Sequence, residues 1–170
     1  MAFDAFLKLT SATGQPVLGE TTDKAHPNEI VLSGYNIAAS HPVNQGSATG
    51  GAGAGKATFN DFSFTTPSTS KVTPALFQAC AQGTRYNEAV VSIRKAGGAG
   101  ASGIDYLKIT MGTVFISSFS TGGATSDAAP HDEVRLSYGR IQFSYTPQNP
   151  NGSTGAPVNG GWDVTKNAPA

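Results

Sequence analysis

Apolar residues recur with period two along most of this chain, the signature of strands with one face in a core and the other turned to solvent or a partner. Ala2 to Thr10 reads as a first strand, with Phe3 and Ala5 on one parity and Phe6 on the other. Glu29 to Ala39 reads as a second. In it Val31, Tyr35 and Ile37 share the parity suited to a core, while Gly34, Asn36 and Ala38 make the opposite face small or polar. Ala57 to Thr66 resumes as a strand around Phe59, Phe62 and Phe64, and the apolar phase shifts between Phe59 and Phe62, which predicts a bulge or early twist. Glu88 to Arg94, Ile104 to Met111 and Val114 to Ser120 follow as three more strands. The longest is Val134 to Tyr145. Its apolar parity changes from Val134, Leu136 and Tyr138 to Ile141, Phe143 and Tyr145, so a bulge is expected at Gly139 or Arg140.

One segment breaks this rhythm as a helix. Pro74 to Gln82 has Thr73 as a cap, Pro74 at the first helical position and Gly83 to close it in a left-handed conformation. Leu76, Phe77 and Cys80 share a side at helical spacing and are expected to pack on the sheet. Ser40 to Gly55 has six glycines or prolines in sixteen residues and no apolar rhythm, so residues of about 40–56 read as a long exposed loop. Tight glycine connections are expected at Gly97 to Gly103 and Gly122 to Gly123. A second loop, Pro147 to Gly160, leads to a short final strand at Trp162 to Thr165, where Trp162 covers one end of the core. The sum is a mainly β fold, a barrel-like pair of packed sheets with one short flanking α-helix, since packing or closure limits exposed edges.

At 170 residues the chain has the length of one domain, and a single domain over 1–170 is expected. Charged residues are 13% of it, about half the ordinary share, and eleven acids balance eleven bases. The bases are scattered, where a nucleic-acid reader needs a basic stripe. Cys80 is alone, so neither an internal disulfide nor a multi-cysteine metal site can form. No basic region precedes an apolar run and small-residue cleavage site, because Asp4 interrupts the one candidate. Nor does any stretch approach the roughly twenty apolar residues that span a bilayer. The expectation is a protein made in the cytoplasm, without a cleaved signal peptide or membrane insertion.

Reactive chemistry finds little footing. Gly50-Gly51-Ala52-Gly53-Ala54-Gly55-Lys56-Ala57 matches a phosphate loop through its lysine. However, Ala57 supplies no hydroxyl for magnesium, no apolar strand precedes the loop, and a strand rather than a helix follows it. His26, His41 and His131 are far apart and read as surface or turn histidines. No Gly-x-Ser-x-Gly elbow occurs, and Asp4, Asp61, Asp105 and Asp132 show no obvious paired partner. No catalytic, cofactor-binding or metal-binding residue is assigned. Asn151-Gly152-Ser153 satisfies a glycosylation sequon but reads as a turn.

Several short segments do stand out in order: Ala2-Phe3-Asp4-Ala5-Phe6-Leu7-Lys8-Leu9, Arg94-Lys95-Ala96-Gly97-Gly98, Tyr106-Leu107-Lys108-Ile109, Ser120-Thr121-Gly122-Gly123, Tyr145-Thr146-Pro147-Gln148 and Gly161-Trp162-Asp163-Val164. Nearly end to end, this set resembles the haemolysin-coregulated protein (Hcp) family, the tube subunits of the bacterial type VI secretion system. Members of that family often have two tryptophans where this chain has Tyr35 and Ile37, and charge where it has the plain insert Gly97 to Gly103.

The resemblance implies a non-enzymatic structural subunit that forms hexameric rings. The rings stack into a tube, carry effectors in the lumen and are expelled with the spike by a contracting sheath, which makes the protein a secreted product. By that analogy Gly34, Asn36 and Ala38 are candidates to line the channel, and His41, Val43, Gln45, Gly50, Gly51, Gly53, Gly55 and Lys56 to contact the adjoining subunit or ring. The alternatives are a phage-tail-like tube protein of another contractile machine and a β-sandwich carbohydrate-binding module. The latter would display exposed aromatics, against one Trp and five Tyr mostly at core parity here.

Overall fold

The computed structural model describes residues 3–14, 16–42, 56–67, 70–95, 103–126, 129–149 and 151–170. In chain order the elements are β1 (Phe3–Ser11), β2 (Ile30–Leu32), β3 (Gly34–Asn36), β4 (Ala39–Ser40), β5 (Thr58–Phe59), β6 (Phe62–Pro67), α1 (Val72–Gln82), β7 (Arg85–Lys95), β8 (Ile104–Gly122), β9 (His131–Tyr145), β10 (Val158–Asp163) and β11 (Ala168–Pro169). The strands pair antiparallel in the order β11-β10-β9-β8-β7-β1-β2, and β6 pairs with both β9 and β3. The long strand β9 is shared between two layers. Its first half, His131 to Leu136, holds β6, and its second half, Arg140 to Tyr145, holds β10.

The segment read as one strand from Glu29 to Ala39 is three short ones. It leaves β1 after Leu32 and joins β6 at Gly34. Ser33 donates its N–H to the Thr65 carbonyl at 2.8 Å, and Thr66 Oγ1 donates to the Val31 carbonyl at 2.7 Å. The sheet thus curls round on itself through β2 and β3 without a continuous ladder, which is barrel-like packing short of a closed barrel. Changing partner sheet also flips the inward parity. Ile30 and Leu32 are buried before Ser33, Tyr35 and Ile37 pack on the core after it, and Val31, expected inside, is 43% exposed. The phase shift between Phe59 and Phe62 has a similar origin, since β5 pairs with β4 in a separate ribbon and β6 with the main sheet.

Ile104 to Gly122 is one 19-residue strand, so no turn separates Met111 from Val114. Instead the buried face switches at one level across three strands, from Ala89, Met111 and Ile141 to Tyr86, Val114 and Tyr138. The irregular level runs through Asn87, skipped in the β1–β7 ladder, and Thr113 at φ 53°, opposite Gly139. The bulge expected at Gly139 or Arg140 is therefore absent from the β8–β9 register, because β8 breaks its own alternation at the same height. The register shifts lower down, between Ile116 and Ser118.

The helix starts earlier than its sequence suggests. Lys71 is the N-cap and makes no side-chain cap, while Thr73 and Pro74 lie within the first turn, where helix N–H groups lack intrahelical partners and proline costs little. Two side chains from outside the helix serve there: Glu20 Oε1 accepts from Lys71 N–H at 3.1 Å and Ser70 Oγ from Val72 N–H at 3.3 Å. Thr73 Oγ1 donates to the fully buried Asp132 at 2.5 Å. Gly83 closes the helix at φ 63°, as expected. The buried stripe is Val72, Leu76 and Ala79, which leaves Phe77 61% exposed with only its edge against Phe119. At the other end of the chain, Val158 to Gly160 belong to β10, not to the loop expected through Gly160, and β10 turns back into β11.

Candidate functional site

Three surfaces carry the residues of interest. The first is the outward face of β3, β6, β9 and the end of β8. Strand register sets two polar rows across it, Gly34-Thr65-Glu133-Ser120 and Asn36-Ser63-Arg135-Ser118. Two open cavities share Asn36 and Ser63. One of about 230 Å³ runs over Gly34 and Thr65, and one of about 330 Å³ is lined by Asn36, Asn60, Asp61, Ser63 and Arg135. Gly34 and Asn36 therefore share this face. Ala38 does not join them; it lies past the end of β3, at an apolar cavity with Ile37, Ala39, Phe59, Tyr138, Ile141 and Phe143.

Beneath the polar face Tyr138 donates its hydroxyl to the Asn60 carbonyl at 2.9 Å. Burial first, and the negative charge of Asp61 second, push this phenol up to about 12 from an ordinary 10. Because the neutral form is favoured in the fold, the unfolded chain loses this proton first. Stability is expected to fall as pH rises from 10 toward 12, and less steeply in Tyr138→Phe. Unfolding midpoints across that range check this; equal slopes would contradict it.

The second surface is an overhang. At one end of the barrel the inner row of side chains runs Ile93, Leu107, Tyr145, Val158. Ile93 is fully buried and Leu107 packs partly on the core, but Tyr145 is 46% and Val158 67% exposed. Strands β9 and β10 thus project their core-side face beyond the core. The apolar cavity above adjoins it through Phe143, and Phe59 stacks on Trp162, whose buried Nε1 has no partner among the described residues. Trp162 is only partly covered, so it closes that end of the core incompletely. The long loop leaves from this region, since its flanking pairs are Ala39–Phe59 and Ser40–Thr58. His41 and Lys56 are exposed; Val43, Gln45, Gly50, Gly51, Gly53 and Gly55 lie outside the described residues.

The third was missed in the sequence. His26 is buried, stacked on Phe6 at 4.6 Å and 14°, with Nδ1 3.0 Å from Glu29 Oε2 and Nε2 3.1 Å from both Asp105 oxygens. Arg94 donates Nε to Asp105 at 2.8 Å and Nη1 to Asp23 at 3.0 Å. Asp23 in turn accepts the N–H groups of Ala25 and His26, and these bonds, with Arg94 and His26 nearby, hold its carboxyl below the usual range against the opposing effect of burial. The network straps the segment before β2 onto the outer side of β1, β7 and β8, which is why the outward-facing Phe6 is only 6% exposed. His26 is thus no surface histidine, and Asp105 has partners. The available signal was local: an aspartate three residues before His26 and a glutamate three after it.

Among the described residues no His, Cys, Asp and Glu side chains gather as a metal-holding group. No helix of the described residues is long and apolar enough to cross a membrane. Of the phosphate-loop-like segment, Lys56 and Ala57 are described, and strand β5 follows them. What the fold defines is a mainly β protein whose described residues present two distinctive faces: one small and polar, one apolar and projecting.

The chain belongs to the Hcp family of type VI secretion. The family model described as type VI secretion system effector, Hcp, matches residues 6–145. Protein hcp1 of Pseudomonas aeruginosa is 39% identical over 171 residues, covering 100% of each chain. Among solved structures, one described as a type six secretion system protein superposes with a TM-score of 0.88 at 26% identity over 99% of this chain and 100% of its own. Hcp1 of Salmonella typhimurium does so with 0.75 at 27% over 100% of both. The protein is a tube component of that secretion system, and the phage-tail and carbohydrate-binding alternatives are not favoured.

Proposed function

We propose that the chain closes into six-membered head-to-tail rings that stack as the secretion tube, with the polar face of β3, β6 and β9 toward the channel. The overhang carries this reading. Tyr145 and Val158 stand on the core-facing row yet remain exposed, and apolar area left in water at about 25 cal/mol per Å² favours cover by another surface. A head-to-tail ring supplies that cover from a different patch of each neighbour, repeated until the ring closes. The loop residues His41, Val43, Gln45, Gly50, Gly51, Gly53, Gly55 and Lys56 belong to the same contact, because the loop springs from the edge of the overhang.

In this reading Gly34 and Asn36 line the channel, with Ala38 at the junction between channel and subunit contact. The further partners are the sheath that drives the tube, the spike ahead of it and effector proteins inside it. The chain acts mechanically, without catalysis of its own, and leaves the cell through that machine. Asn36→Arg tests the channel assignment. Rings of unchanged mass that retain less, or different, co-expressed effector are expected; loss of the ring would place Asn36 at a subunit contact instead.

A further inference from the structure

We propose that Asp61 anchors a subsite on the polar face that takes the ammonium or guanidinium group of a lysine or arginine carried by a protein cargo. The proposal deepens the channel reading and rests on it for where that cargo lies. Two departures from regular strand geometry converge on Asp61. It stands in the break between β5 and β6, and the register shift of β8 presents Ser117, whose Oγ sits 2.5 Å from Asp61 Oδ2 and 3.2 Å from the Arg135 carbonyl. Bulges commonly re-aim a side chain in this way. One carboxylate oxygen is thereby fixed, while Oδ1 accepts no hydrogen bond among the described residues.

Asp61 lines the cavity of about 330 Å³ with Asn36, Asn60, Ser63 and Arg135. The cation among its described lining residues is engaged with its own strand: Arg135 Nη2 donates to Glu133 at 3.2 Å. Among the described residues Asp61 has no ion-pair partner, and carboxamide and hydroxyl oxygens that can accept stand beside it. An ammonium has three donors and no acceptor, and a guanidinium five donors and none, so either can pair with the Asp61 carboxylate while the neighbouring carboxamide and hydroxyl oxygens accept its remaining N–H groups. The adjoining cavity of about 230 Å³ extends the groove over Gly34, giving room for a length of polypeptide rather than a small free amine. Gly34 keeps that groove open, since an added Cβ would already meet Thr65 Oγ1 at 3.3 Å.

The test uses the full chain and a fluorescein-labelled glycine–serine peptide with one central lysine, against the same peptide with glutamine, read by anisotropy. The lysine peptide is expected to bind roughly two- to fivefold more tightly. Asp61→Asn, isosteric and exposed, should erase the preference, and Ser117→Ala should reduce it, both with unchanged circular dichroism. Equal affinity for the two peptides, or a preference that survives Asp61→Asn, would overturn the subsite. Putrescine binding as tightly as the lysine peptide, and unaffected by Gly34→Val, would overturn the assignment to a polypeptide cargo. Gold-labelled lysine peptide imaged on the rings separates the two layers of the reading: label at the ring centre supports both, while label at the outer rim with the preference intact overturns only the channel placement.

Discussion

Val158→Asp is expected to leave the fold intact and reduce the assembly to single chains of 17.4 kDa. In the isolated subunit the side chain is 67% exposed at the end of β10, so a carboxylate there meets water, and surface substitutions of this kind usually change stability by less than about 0.5 kcal/mol. In the proposed ring the same position would lie against a neighbour, where burying an unpaired charge costs several kcal/mol at every contact. The two environments therefore give opposite outcomes for one substitution. Circular dichroism and the unfolding midpoint should match the parent while the mass in solution collapses. Tyr145→Asp, paired with Val158 across β9 and β10, should behave alike. Rings that persist in both variants would remove the overhang from the subunit contact.

The largest single-chain effect is expected at His26. His26→Ala leaves Glu29 without its partner, leaves Asp105 with Arg94 alone, and uncovers one face of Phe6. Losing a hydrogen bond to a charged group costs about 1.5–3 kcal/mol, and with two such bonds to partly exposed carboxylates and a stacked ring removed together the expected loss is near 3 kcal/mol. Urea unfolding should show the midpoint falling with an unchanged slope. His26→Gln, which still offers an amide N–H in similar volume, should recover part of the loss. A change below about 0.5 kcal/mol would put the network among solvated surface pairs.

How much of this was legible follows from what period two can report. It reports which residues share a face, so Phe3 to Leu9, the β7 run and the length of β9 were readable, and so was the helix with its Gly83 stop. It does not report which strand lies alongside. The passage of Glu29 to Ala39 from β1 to β6, with its reversal at Ser33, is a change of partner, and Val31 was misplaced for that reason. The switch at Met111 to Val114 looked like a break between two strands because one strand alone cannot show that its two neighbours switch at the same height. Val158-Asn159-Gly160 has the composition of a loop and is a strand because Tyr145, Ser144 and Phe143 lie beside it. Phe77 was placed inward because neighbouring apolar residues at helical spacing do not distinguish a stripe centred on Leu76 from one that includes its neighbour.

The candidate surfaces divide along the same line. Gly34 and Asn36 were visible as a small, polar parity within a strand, and the structure adds Ser63, Thr65, Glu133 and Arg135 beside them. The overhang was not visible, since Tyr145 and Val158 differ from core residues only in being left exposed by the fold. His26 was hidden because its partner Asp105 lies 79 positions away, and Arg94, which ties Asp105 to Asp23, stands on the neighbouring strand of the same hairpin.

Mass in solution, measured by light scattering on a size-exclusion column, tests the central claim most directly. Six times the 17.4 kDa chain is the result the ring requires. A mass of one chain at every concentration would contradict it, leaving the apolar overhang of β9 and β10 uncovered in the protein by itself.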